Sequence, residues 1–219
     1  MSDEIRLALL AILGILFVAV LVRPAPRAGA ADALTVTAPV SERYDFESPD
    51  LTGWHVVDGR WAVEEVPGAP SGQRALVQRE AKKAYDVIVA PGGPYGDVDI
   101  TVRFKPISGR EDASAGIVFR FSDGRYYVIR ANALEDNFRL YYYDRSRHEL
   151  ASARVTPPAL GQWHTLRVAA VGDRIQGYLD GSLLIDHRDK RYRAGRVGLW
   201  TKADSVTAFD DLVVRGVAP

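Results

Sequence analysis

The feature that most limits what this chain can become is residues 163–189, WHTLRVAAVGDRIQGYLDGSLLIDHRD, an alternating run broken twice by tight-turn chemistry. Leu166, Val168 and Ala170 alternate with Thr165, Arg167 and Ala169, and Val171-Gly172-Asp173-Arg174 then supplies a turn. Ile175, Gly177 and Leu179 alternate with Gln176 and Tyr178, and Asp180-Gly181 starts a second hairpin into Leu183-Leu184-Ile185. A period of two places each apolar set on one face of a strand, and Asp-Gly is the dipeptide that a two-residue hairpin turn favours. The stretch predicts a β-meander. It speaks to fold and says nothing about chemistry.

The same signals recur from residue 44 onward. Short alternating runs cover residues 44–47, 53–57, 59–63, 75–78, 97–105, 116–121, 126–130, 138–143, 195–201 and 206–215, so about a dozen strands are expected. Pro/Gly-rich loops separate them at residues 66–73 and 90–96. Only residues 79–85 hint at a helical period, and no repeat of fixed length is present. The expectation is an all-β sandwich.

Composition sets the boundaries. A chain of 219 residues with 47% hydrophobic content buries a full core in one domain. The formal charge is zero, and Arg6, Arg23 and Arg27 balance Asp3, Glu4 and Asp32 within the first 33 residues, so the remainder is neutral too. No net field is available to hold nucleic acid or an anionic membrane. The absence of cysteine excludes disulfides, thiol nucleophiles, lipidated cysteine and cysteine-ligated zinc.

Residues 7–22 carry no charge, a length between that of a signal-peptide core and that of a membrane span. An apolar helix preceding the domain is expected there. The small-residue runs Ala28-Gly29-Ala30 and Ala31-Asp32-Ala33 look like a cleavage region, whereas Asp3 and Glu4 stand where a signal peptide carries positive charge. Residues 1–33 therefore read as a signal peptide or a membrane anchor, the first favoured, with any membrane contact confined to residues 7–22. Residues 34–41 then form a linker and 42–217 the domain, placed in the periplasm or outside the cell.

Several blocks carry a family resemblance. They are Ala115-Gly116-Ile117-Val118-Phe119-Arg120, Tyr126-Tyr127-Val128-Ile129-Arg130, Trp163-His164-Thr165-Leu166-Arg167-Val168 and Tyr178-Leu179-Asp180-Gly181. Gly195-Arg196-Val197-Gly198-Leu199-Trp200-Thr201 and Phe209-Asp210-Asp211-Leu212 complete the set. Over residues 42–216 the chain resembles concanavalin A-like lectin/glucanase sandwiches, most of all bacterial 3-keto-disaccharide hydrolase domains. The resemblance implies a jelly roll of two antiparallel sheets with a concave face that commonly receives glycans. Lectins, adhesion modules and enzymes share that sandwich, so it implies no particular activity.

Candidate sites follow from residue chemistry. Arg120, Tyr126, Arg130, Arg139 and Tyr141 are placed to face one way on three neighbouring strands, giving rings for the apolar faces of sugars and guanidinium forks for their hydroxyls or carboxylates. The plain alternative is tyrosines covering core with arginines laid over them. Asp45 and Glu47 near the start, with Asp210 and Asp211 near the end, offer hard oxygens for a structural calcium, although strand-end polarity explains them more simply. A two-carboxylate glycosidase is not expected. The nearest pattern is Asp97-Val98-Asp99-Ile100-Thr101, which reads as an edge strand with a solvated face. His55, His148, His164 and His187 lack metal-ligand spacing, and Glu111-Asp112 and Glu135-Asp136 read as solvated loop carboxylates. Trp54, Trp61, Trp163 and Trp200 read as core or inter-sheet aromatics. The leading expectation is a carbohydrate-binding module without catalysis of its own. A hydrolase or lyase acting on 3-keto disaccharides and a protein-binding envelope module are the alternatives.

Overall fold

Alternation becomes architecture because each strand has an apolar face to bury and a backbone whose groups must be paired. The computed structural model describes residues 32–82 and 84–219, and within these lie fifteen strands. They are β1 (Val40–Tyr44), β2 (His55–Asp58), β3 (Trp61–Glu65), β4 (Arg74–Gln78), β5 (Tyr85–Val89), β6 (Val98–Ser108), β7 (Ser114–Ser122) and β8 (Arg125–Asn132). The remainder are β9 (Asn137–Asp144), β10 (Ser146–Arg154), β11 (His164–Val171), β12 (Arg174–Leu179), β13 (Ser182–Arg188), β14 (Arg196–Lys202) and β15 (Val206–Gly216).

The strands form two antiparallel sheets. Sheet A runs β13-β12-β11-β6-β15-β4-β3, with β1 added against β15, and sheet B runs β10-β9-β8-β7-β14-β5-β2. The predicted meander is β11-β12-β13, with Leu166 opposite Leu179 and Val171 opposite Arg174. Its turns rest on Gly172, Asp180 and Gly181, all with positive φ. Between the sheets, Ile100, Val102, Phe104, Leu166, Val168, Ile175 and Phe209 of sheet A meet Ile117, Phe119, Tyr127, Ile129, Phe138, Leu140 and Leu199 of sheet B. Each of these is fully buried. At roughly 1.5–3 kcal/mol for each large apolar side chain, this layer dominates the stability of the sandwich. The result is the jelly-roll sandwich that the sequence implies.

Some expectations change. The Asp97–Thr101 segment lies at the start of β6, which is central in sheet A and not an edge, because β11 and β15 flank it. Asp99 is buried and holds Arg167 through two contacts of 2.9 Å. Residues 79–82 and 84 carry no helix, and Tyr85 instead opens β5. Strand β10 has no counterpart in the sequence reading: it is the outermost strand of sheet B, and exposed Ser146, His148, Glu149, Ser152 and Arg154 leave no clear alternation. The expected linker is docked, since the Leu34 amide donates to Gln176 Oε1 at 2.7 Å, its carbonyl accepts from Arg167 at 3.1 Å, and Val36 is buried. The apolar segment 7–22 and its cleavage-like region lie outside the described residues.

Candidate functional site

The outer face of sheet B is unusual in being apolar as well. Val87 and Val89 of β5, Val118 of β7, Tyr126 and Val128 of β8, Tyr141 of β9 and Trp200 of β14 form a second buried cluster, separate from the inter-sheet core. Tyr85, Phe121 and Tyr143 pack on its margin. Curvature explains how the cluster is covered. In a flat sheet, β5 and β9 would lie about 19 Å apart at ~4.8 Å per strand, yet the rings of Tyr85 and Tyr143 are 5.9 Å apart. Bulges between Phe119 and Ser122 and between Glu149 and Ala151 disrupt the ladders of this sheet, and bulges bend strands. The face is concave.

One half of the concavity is aromatic. Tyr126 stacks on Tyr143 at 5.0 Å and on Phe121 at 5.9 Å, while Tyr85 stacks on Trp200 at 5.5 Å. A cavity of about 310 Å³ opens among Val57, Asp58, Ala84, Tyr85, Val87, Phe121, Gly124, Tyr126 and Tyr143. The floor is apolar, and Asp58 contributes polarity at the rim.

The other half is polar. Arg130, flanked by inward Ile129 and Ala131, is 1% exposed. It donates to Glu135 at 2.7 Å, while its Nε and Nη1 have no hydrogen-bond partner. Arg139, directly opposite Arg130 in the β8–β9 register, reaches Tyr141 Oη at 3.3 Å and Glu149 at 3.4 Å. Arg147 lies over the rings of Tyr141 at 4.4 Å and Tyr85 at 5.2 Å, so a residue of β10 reaches across the concavity to one of β5. Burial works against ionisation of Glu135, but hydrogen bonds from Arg130 and Asn137 outweigh it and hold the carboxyl at about 2. Glu135 is therefore a fixed anion and a weak base.

Four of the five expected ligand residues share this face, and one does not. Arg120 sits in the β7 bulge with φ 53° and is 1% exposed. Its guanidinium donates to the carbonyls of Gly96 at 3.3 Å, Tyr192 at 3.0 Å and Gly172 at 2.9 Å. It braces loops and is not presented to the groove. Tyr126 and Tyr141 lie on the face but are 4% and 2% exposed, so they form the floor and offer no open rings. Half-buried Tyr85, Phe121 and Tyr143, with Arg147, form the accessible walls. Sequence reasoning missed these, although Tyr143 stands two residues from Tyr141 and must share its face. Trp200 is buried as a core aromatic is expected to be, in the cluster on the outer face of sheet B, whereas Trp163 is only partly buried and packs outside sheet A beside Ala75, Val77 and Ala208.

The four acidic residues proposed for calcium do gather around the segment at Ser71–Arg74, but each has at least one carboxylate oxygen engaged by the chain itself. Asp210 is fully buried and accepts from the Ser71 amide at 2.9 Å, the Ser71 hydroxyl at 2.5 Å and the Asp211 amide at 2.7 Å. Glu47 accepts from the amides of Gln73 and Arg74, Asp45 from the amide of Glu47, and Asp211 pairs with Arg43 at 2.6 Å. Among the described residues no group of three His, Asp or Glu side chains converges on one ion position. This donor set does not fit calcium, because Asp210 is closed off by three protein donors and the other carboxylates do not converge with it on one position. His164 is likewise committed, its two ring nitrogens lying 2.8 Å from Asp180 and 3.3 Å from the Ala159 carbonyl. Asp112, expected to be solvated, is fully buried and pairs with Asn132 and Lys202.

Residues 43–215 match the model of the 3-keto-alpha-glucoside-1,2-lyase-like domain. A levanase of Bacillus subtilis (strain 168) is 24% identical over 154 residues, covering 68% of this chain, and the chain spans 21% of that enzyme. Among solved structures, the carbohydrate-binding module CBM66 of Bacillus subtilis superposes with a TM-score of 0.64 at 20% identity, covering 75% of this chain and 96% of the module. The β-glucanase of Bacillus licheniformis gives 0.56 at 15% identity, covering 81% and 98%. These neighbours share the concanavalin A-like sandwich.

Proposed function

This chain belongs to the 3-keto-alpha-glucoside-1,2-lyase-like domain family, and from that premise we propose that it binds carbohydrate on the concave face of sheet B. The observation that carries this reading is the pairing of aromatic walls with arginine donors that lack acceptors. Tyr85, Phe121, Tyr126 and Tyr143 line a cavity large enough for a sugar ring, and Arg130, Arg139 and Arg147 retain N–H groups without hydrogen-bond partners. A sugar has both an apolar C–H face for the rings and hydroxyl oxygens for the guanidinium groups. Likeness to a carbohydrate-binding module and to part of a levanase supports the same ligand class.

The family description favours a second reading, a lyase or hydrolase acting on 3-keto disaccharides. Set against it, the carboxylates nearest the face are occupied: Asp58 by Lys82, Glu135 by Arg130, Glu149 by Arg139 and Asp112 by Lys202. The outward positions of the central strands β7, β8 and β14 are Ser114, Gly116, Val118, Tyr126, Val128, Arg130, Gly198, Trp200 and Lys202, with no carboxylate among them. We also take the protein to be exported, with residues 7–22 as signal or anchor.

Calorimetric titration with a panel of oligosaccharides tests the main reading. Saturable binding is expected, weakened roughly tenfold in Tyr143→Ala, about 1–2 kcal/mol of lost ring contact. Binding unaffected by that change, or release of monosaccharide from 3-keto disaccharides detected by mass spectrometry, would overturn it.

A further inference from the structure

The charges on the concave face do not balance. Three cations there have acidic partners, Arg130 with Glu135 at 2.7 Å, Arg139 with Glu149 at 3.4 Å, and Lys202 with Asp112, and the carboxylate at the rim, Asp58, is itself paired with Lys82. The fourth, Arg147, lies between the rings of Tyr141 and Tyr85, and among the described residues no carboxylate stands within ion-pair distance of it. Its Nη1 is buried and has no hydrogen-bond partner.

The ring contacts set where this cation sits. Tyr141 lies on β9 and Tyr85 on β5, so the two rings hold the guanidinium over the middle of the groove, and Tyr143 stands directly opposite Arg147 in the β9–β10 register. A guanidinium keeps its charge throughout the physiological range. Cation–π contact supplies attraction without an acceptor for its N–H groups. On the same face, Arg130 Nε and Nη1 also lack hydrogen-bond partners, while Arg139 Nε faces Glu149 at 3.4 Å. A hydroxyl satisfies one such donor and leaves the surplus charge in place. A carboxylate satisfies two in fork geometry and cancels the charge.

We propose that the preferred ligand is an acidic glycan, with the carboxylate of a uronic acid residue received by Arg147 beside Tyr85, Tyr141 and Tyr143. This rests on the carbohydrate-binding reading and names its ligand class. Neutral sugars would still meet the aromatic walls, but without the charge-assisted contact.

The test titrates the intact protein with matched pairs of oligosaccharides of several linkages, each pair differing only in a carboxylate or a hydroxymethyl group at C6. The acidic member is expected to bind at least tenfold more tightly. That advantage should shrink as sodium chloride rises from about 0.05 to about 0.5 M, where screening shortens to a few ångströms. It should disappear in Arg147→Gln and persist in part in Arg147→Lys, which keeps the charge and loses the fork. Equal or tighter binding of the neutral members overturns the acidic preference and leaves the carbohydrate reading standing. Binding of neither member overturns both. An acidic preference undiminished in Arg147→Gln overturns the role of that residue, and if the glutamine variant does not fold, salt-independent preference in the unmodified protein does the same.

Discussion

Asp86 shows how much one side chain can contribute against the fold. It is fully buried in β5, its Oδ1 has no hydrogen-bond partner, and its Oδ2 accepts only a 3.3 Å bond from Thr201. Burial raises its carboxyl, Lys82 at 3.6 Å offsets part of that, and the result is about 6. The folded state therefore holds this proton over a range in which the unfolded chain, with an ordinary aspartate near 3.9, has released it. The contribution to stability is complete below about pH 4 and is lost as pH rises through 6, at a cost of roughly 2–3 kcal/mol. Asp86→Asn is expected to remove this loss. Its chemical-denaturation stability at pH 7 to 8 should exceed that of the parent, and the difference between the two should grow from pH 4 to pH 7. Parallel pH profiles would show that Asp86 is not the source. In the sequence, Asp86 was one residue of an unassigned segment, because burial of a lone carboxylate in a short strand leaves no pattern.

At the scale of elements, Gly177 sets the spacing between the sheets. It lies in β12 facing sheet B, and a Cβ there would strike Ile129 Cδ1 of β8 and come within 3.0 Å of Phe138 Cε1 of β9. The residue is needed for close approach. Gly177→Ala is expected to destabilise the domain by about 1–3 kcal/mol through overpacking, and adding Ile129→Val should recover part of that loss. A neutral Gly177→Ala would show that the sheets can separate at no cost. The meander containing Gly177 was legible because its alternation and its Gly172 and Asp180-Gly181 turns are local. Strand β10 was not legible, since both its faces carry polar residues and its place was decided by pairing with β9.

For the whole molecule, the end of the sandwich is tied by Arg120. From β7 of sheet B its three hydrogen bonds reach the β5–β6 connection, the β11–β12 turn and the β13–β14 connection. Arg120→Leu leaves those carbonyls without a donor and is expected to cost about 3 kcal/mol or more, read as a lowered denaturation midpoint. Arg120→Lys should recover little, because one ammonium cannot span three separated carbonyls. Glycan affinity of either variant, measured well below its midpoint, is expected to stay within about twofold, or 0.4 kcal/mol, of the parent, since Arg120 faces away from the groove. A tenfold loss would return it to the site. Its misplacement in the sequence reading has a physical cause. One bulged residue breaks the period of two, and everything beyond it changes face. The sequence by itself determined the class of fold, the meander and most of the strands, because alternation and turn chemistry act between near neighbours in the chain. Only the tertiary structure decided which strands lie side by side, how far sheet B curls and which rings and guanidinium groups meet in its hollow, because those follow from pairings between residues tens of positions apart.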